Sequence, residues 1–236
     1  MPAPRPLFFF ALAPLLLLVG GCAHPAFYDS SRTGPFFAPA NVSAAPTLAG
    51  LRRVVVLPVA SETVAPPESA ADLDSVIRTA LQHENRFEVV ALSRDECRAR
   101  FHTEALSSAA ALPRDLLPTL QREFAADGVL FVDLTVYDAY RPLAIGWRAK
   151  LATIDGTRLL WSFDNVFAAD NPAVANSARH YFLQRDTGGV PADLTPAVLQ
   201  SPGRFAAYAA AAMFDTLPPV TAPVLPESSA ARRATR

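Results

Sequence analysis

Cysteine is scarce in this sequence: Cys22 and Cys97 are the only two among 236 residues. That excludes a small disulfide-stapled scaffold, which needs several bridges where at most one could form. Charge of either sign is also sparse. Lys and Arg number 21 against 22 Asp and Glu, a net charge of -1. No basic surplus points to nucleic acid, and no acidic tract points to a calcium sink. The apolar run from Leu7 to Val19 falls short of the roughly 20 residues a membrane-crossing helix needs. Catalytic signatures are missing as well. There is no GxSxG elbow, Walker loop or GxGxxG, and His83-Glu84 continues as Asn85-Arg86-Phe87, which breaks the HExxH zinc pattern. His24, His83, His102 and His180 are scattered, and Cys97 with His102 would supply two ligands, which make no metal site. The sequence therefore yields no catalytic residue, no metal and no cofactor.

What is present starts at the amino terminus. Arg5 precedes the apolar run, and Gly20-Gly21 closes it. A positive n-region, an apolar h-region and small residues make a secretory signal. The next residue is Cys22, and Leu18-Val19-Gly20-Gly21-Cys22 resembles the lipobox of bacterial lipoproteins. The resemblance implies cleavage between Gly21 and Cys22, diacylation of the Cys22 thiol with palmitate-type chains, and acylation of the new amino terminus. The plainer alternative is an ordinary secretory signal with Cys22 incidental. One acyl chain gains ~0.8 kcal/mol per buried methylene and holds weakly alone, whereas two or three hold firmly. Ala23 in place of an Asp leans, by the sorting rule of enteric lipoproteins, towards the outer membrane facing the periplasm. With Cys22 lipidated, Cys97 has no partner in the chain and reads as a small packed residue.

Proline, 22 in all, concentrates in the ends and connections. The expected division is a signal peptide over 1–21, a lipidated cysteine with a Pro- and aromatic-rich tether over 22–50, an α/β domain over 51–217 and a disordered tail over 218–236. Phe27, Tyr28, Phe36 and Phe37 are unusual for a solvated tether. They are expected to pack on the domain rather than on the membrane surface or a partner.

Within the domain, hydrophobic periodicity predicts strands over Arg53–Val59, Phe87–Leu92, Val129–Tyr137, Ile145–Ile154 and Arg158–Val166. It predicts helices over Ser69–Gln82, Ser93–Phe101, Pro113–Ala126, Pro172–Gln184 and Phe205–Leu217. Ser93 with Glu96 is a capping-box pattern, Asp127-Gly128 is expected to close the third helix, and Asp155-Gly156 is a hairpin signal. The order predicts a single mixed sheet of about five strands with helices packed on it, the first two strands parallel and the last three an antiparallel meander.

One polar group stands out. Strict alternation puts Asp133, Thr135 and Tyr137 on one face of the third strand, and Arg148 and Lys150 on one face of the fourth. Asp133, Tyr137, Arg148 and Lys150 thus form a possible interaction surface for peptide or glycan. The alternative is a solvated or helix-covered ionic ladder. Trp147 and Trp161, spaced so that they could flank each other across the hairpin, read as core.

The opening strand Val54 to Pro58, Arg86-Phe87-Glu88-Val89-Val90, the junction Ala126-Asp127-Gly128-Val129-Leu130, and Ile154-Asp155-Gly156-Thr157 leading to Leu160-Trp161 together resemble one group of bacterial envelope lipoproteins. That group includes CsgG-like and LpoB-like members, the amino-terminal domain of TolB and export lipoproteins of the PelC kind. Their shared α/β domain is similar to an anticodon-binding domain. The resemblance covers about two thirds of the chain, and its motifs are structural, so it implies no active-site residue. A self-made pore is not expected, because no spare pair of strands with roughly 9–11 alternating residues is visible. The resemblance implies a non-enzymatic, lipid-anchored envelope protein that presents an interaction domain to a periplasmic protein partner, with the membrane reached through Cys22. A homo-oligomeric ring subunit of a secretion or polysaccharide-export apparatus is the alternative, and a hydrolytic enzyme using Asp133 or His180 comes third.

Overall fold

A computed structural model describes residues 30–61, 64–185 and 198–221. The signal peptide, Cys22, Phe27, Tyr28, most of the 185–202 connection and most of the expected tail lie outside the described residues. Those described form, in chain order, α1 (Ser30–Thr33), β1 (Val42–Ala44), β2 (Arg53–Val56), α2 (Pro67–Glu84), β3 (Glu88–Ala91), α3 (Arg94–Phe101), α4 (Leu116–Phe124), β4 (Gly128–Asp138), β5 (Ala144–Thr153), β6 (Leu159–Ala168), α5 (Pro172–Arg185) and α6 (Pro202–Phe214). The fold is α/β, built on one mixed sheet in the order β1-β6-β5-β4-β2-β3. β3, β2 and β4 run parallel, and β4, β5, β6 and β1 pair antiparallel.

The sheet has six strands rather than about five. The extra one, β1, lies in the stretch expected as tether, where Val42 pairs with Phe163 and Ala44 with Trp161. Three residues are too few to show an alternating pattern, yet they cover the otherwise open edge of β6. Leu48, four residues on, is fully buried, and its N–H donates to Pro219 O at 2.9 Å. Arg86 Nη1 donates to Pro218 O at 3.3 Å, so the body runs past the expected boundary at 217.

Two apolar layers flank the sheet. On one face α2, α5 and α6 bury Leu73, Ile77, Leu81, Val174, Phe205, Met213 and Phe214 against Trp147, Trp161, Phe163 and Phe167. The spacing of Ala70, Leu73, Ile77 and Leu81 is the inward stripe of an amphipathic helix. Pro67 opens α2 without needing an N–H partner, and Asn85 in the left-handed region ends it. On the other face α3 and α4 bury Cys97, Phe101, Leu116 and Leu120 against Val55, Val129 and Phe131. The Ser93–Glu96 capping box forms in full, and Arg100 Nε pins α3 to α4 through Glu123 Oε2 at 2.8 Å.

β2 stops at Val56 instead of Val59. Pro58 has no N–H to give, and the Val59 N–H turns to Asp74 Oδ1 at 2.8 Å. α4 ends at Ala125, whose φ is 49°, and Asp127-Gly128 serves a different purpose from closing it. Asp127 Oδ2 accepts the N–H groups of Arg52 and Arg53, each at 3.0 Å, which fastens the start of β2 to the start of β4. A Cβ on Gly128 would sit 2.8 Å from Leu51 Cδ1 and 3.0 Å from the Ala152 carbonyl.

Candidate functional site

Asp133, Arg148 and Lys150 do share a face, and Tyr137 does not join them. Asp133 pairs with Arg148 and Leu134 with Trp147, but the register then slips, so that Val136 pairs with Gly146 and Tyr137 with Ile145. The extra residue is Thr135, and a one-residue bulge reverses the side of everything after it. Tyr137 therefore packs on the Trp147 side, against the larger core. A similar slip between Leu151 and Ala152 in the β5–β6 pairing, with Leu160 as the extra residue, removes Leu159 from the Trp161 face and leaves it 54% exposed.

The three charged residues form less of a solvated ladder than expected. Asp133 is only 5% exposed, and its carboxylate accepts from the Ser108 N–H at 3.1 and 3.2 Å and from Ser108 Oγ. Lys150 Nζ donates to Ser108 O at 3.0 Å. Together they hold the Ala/Ser-rich loop after α3 on the sheet. Arg148 Nε turns the other way, to Asp164 Oδ2 at 2.8 Å. That bond, with the Asp133 charge adding to it, pushes the Arg148 guanidinium above its ordinary value. The Asp133 carboxylate, bonded to the Ser108 N–H and hydroxyl while Lys150 holds the Ser108 carbonyl, works as a structural clamp on that loop.

Beyond Lys150 the sheet face is open. Cross-strand pairing aligns Val136, Gly146 and Val166 in one row and Asp133, Arg148 and Asp164 in the next. Val166 is 47% exposed, and among the described residues no helix covers this half of the sheet. The opposite half lies beneath α3 and α4.

A cavity of about 300 Å³ lies between the end of α2, α5 and α6, lined by Glu84, Ser177, His180, Tyr181, Tyr208 and Asp215 among others. Sequence reasoning missed it, because its members are spread over three helices with no motif spacing. The Tyr208 hydroxyl is buried there without a hydrogen-bond partner among the described residues. Burial pushes its phenol up to about 12, with the nearby Ser177 hydroxyl opposing. Ser177 Oγ itself accepts the Phe37 N–H at 2.8 Å, so the Tyr208–Ser177 contact is the weaker of the two. The His180 ring lies 4.7 Å from that of Phe36, tilted by 43°, and meets Gln184 Nε2 at 2.6 Å. Phe37 packs edge-on against Phe167 at 5.3 Å, as expected for the aromatics of that segment.

At the carboxyl end of β2, Asp74 takes a two-pronged bond from Arg94, 2.7 Å from Nε and 3.0 Å from Nη2. Arg94 also reaches Val59 O at 2.9 Å. Burial raises the Asp74 carboxyl, opposed by the Val59 N–H and Arg94. This knot joins α2, α3 and the end of β2. Cys97 is buried, and burial raises its thiol against the pull of Arg94 and Arg100, the setting of a packed residue rather than a reactive one. Trp147 and Trp161 are both fully buried, though Trp147 pairs with Asn165 and Trp161 with Leu151, so they are not cross-strand partners. Among the described residues, no group of three or more His, Cys, Asp or Glu could hold a metal ion, and no helix is long and apolar enough to cross a membrane.

No protein-family model and no curated protein matches the sequence. Solved structures similar to it include the PelC dodecamer from Paraburkholderia phytofirmans, at 15% identity over 54% of this chain and 78% of that one, with a TM-score of 0.38. Lipoprotein GNA1162 from Neisseria meningitidis is 20% identical over 57% of this chain and 93% of that one, with a TM-score of 0.41. The LpoB C-terminal domain from Escherichia coli is 20% identical over 52% and 86%, with a TM-score of 0.37. No residue role is carried over from any of them.

Proposed function

We propose that the chain is a non-enzymatic, lipid-anchored protein of the bacterial cell envelope, whose α/β body is presented to a protein partner in the periplasm. The observation that carries this reading is Leu18-Val19-Gly20-Gly21-Cys22 behind a charged and then apolar leader. The body supports it with an open half-sheet, where Val136, Gly146 and Val166 lie beside the Arg148–Asp164 pair. The test has two arms. Metabolic labelling with a radioactive fatty acid should mark the wild-type chain and leave Cys22→Ser blank, with the variant lost from the membrane fraction or left uncut. In intact cells, a photo-crosslinker at Val166 should capture a discrete protein, and one at Glu123 on α4 should not. Unlabelled wild-type chain would sink the anchor. Equal capture at both positions would sink the partner surface.

A further inference from the structure

The amino-terminal segment is far shorter as a tether than its composition suggests. A free tether from Cys22 to Gly50, 28 residue steps, would reach ~100 Å at full extension. Yet α1 already lies against α5. Asn176 Nδ2 donates to Pro35 O at 3.3 Å, the Phe37 N–H donates to Ser177 Oγ at 2.8 Å, and Phe36 packs on His180 at a tilt. Only eight residue steps separate Cys22 from Ser30. In any conformation they span at most ~29 Å, so acyl chains at Cys22 would hold the α1 and α5 side of the body close to the lipid headgroups.

The chemistry of that side is matched to such a neighbour. α1, residues 34–50, α5 and α6 carry Arg32, Arg179, Arg185 and Arg204, and not one Asp or Glu. Carboxylates flank these elements rather than sit within them: in sequence Asp29 adjoins α1, Asp170 and Asp186 flank α5 and Asp215 follows α6, and Glu84, 3.6 Å from Arg86, shares a cavity with Asp215 and Arg185. The Arg185 guanidinium lies 3.8 Å from the Tyr181 ring centre and that of Arg204 6.0 Å from Phe182. Phe36 is 44% exposed beside them. Arginines resting on half-buried rings suit the interfacial zone, where anionic headgroups attract the charge and the rings enter the acyl boundary. On the far side Arg98 is paired with Asp95 and Glu104, and Arg100 with Glu123 while lying 5.2 Å from the Phe124 ring centre.

We infer that the face made by Arg32, Phe36, Tyr181, Phe182, Arg185 and Arg204 docks on an anionic bilayer surface, the same leaflet that would receive the chains on Cys22. The inference rests on the lipoprotein reading for its proximity argument and on the residues themselves for its charge argument.

The experiment uses the full chain as isolated from membranes, with a fluorophore on Gln184→Cys in α5 or on Gln121→Cys in α4, reconstituted into vesicles carrying headgroup nitroxides. Mass spectrometry of the same sample reads the acylation. In phosphatidylglycerol/phosphatidylethanolamine vesicles the Gln184 label should be quenched about threefold more than in phosphatidylcholine vesicles, and the Gln121 label should not change. Reversing Arg32, Arg185 and Arg204 to Glu should abolish the difference while the protein still floats with the vesicles. Hydrogen exchange of α5 amides in the unlabelled chain repeats the measurement without a substitution. An acylated chain with equal signals at both labels overturns the docking surface and leaves the anchor intact. An unacylated chain overturns the anchor. The same label with vesicles added from outside then decides the surface, which stands if quenching persists and falls if it does not.

Discussion

Gly146 occupies the one position in β5 that faces the Thr135 bulge. A Cβ there would lie 2.5 Å from Thr135 Oγ1 and 3.0 Å from the Val136 backbone nitrogen. Gly146→Ala should therefore cost about 1–3 kcal/mol, read as a lower denaturant midpoint at unchanged slope. Tyr208 predicts the opposite sign. Tyr208 is 3% exposed and its hydroxyl finds no hydrogen-bond partner among the described residues, so Tyr208→Phe should leave stability unchanged or raise it by about 1 kcal/mol. A clear loss would mean that Ser177 satisfies the phenol after all. Asp155 governs acid behaviour at the hairpin. Bonds from Thr153 Oγ1 and from the Thr157 N–H and hydroxyl lower its pKa from 3.8 to about 2. A carboxyl with a depressed folded value stabilises fully above its unfolded value near pH 4, and that contribution fades as pH falls towards 2. Asp155→Asn should flatten the acid limb of the stability curve in that window and leave the slope near neutrality alone. These residues were visible as Gly and Asp in the sequence. Their roles were not, because a bulge or a close approach is a property of two strands in register.

Among the elements, α2 and α3 were legible because a stripe such as Leu73, Ile77 and Leu81 and a capping box are local patterns. Ser93→Ala should cost about 1 kcal/mol, since Ser93 Oγ accepts the Glu96 N–H and the Ser93 N–H is returned to Glu96 Oε2. β1 was not legible, having only the three residues of Val42–Ala44 amid prolines. Its importance lies in what it covers. A chain starting at Leu51 would expose the edge of β6 and lose the buried Leu48, a side chain worth about 1.5–3 kcal/mol by burial alone. That chain should melt lower and aggregate, while one starting at Ser30 should keep the full melting temperature. Equal melting of the two would return the segment to the status of a tether.

At the scale of the molecule, the two faces of the sheet are unequal. α2, α5 and α6 bury one face across its width, while α3 and α4 bury only half of the other. This asymmetry leaves Val166 exposed and Val136 half-buried on one side, over a Gly146 buried beneath Thr135, and sets the Arg185–Tyr181 contact of α5 on the other. By itself the sequence determined the order of the helices and strands from β2 onward and the parallel and antiparallel halves of the sheet, and it carries the pattern on which the proposed leader and anchor rest. Such features follow from periodicity and from short runs of neighbouring residues. Only the tertiary structure decided that Tyr137 leaves the Asp133 face, that β1 and Leu48 belong to the body, and that Arg204 of α6 rests on the ring of Phe182 in α5. Each of these depends on which distant strands and helices meet and in what register, and the sequence holds that information only through the packing of the whole chain.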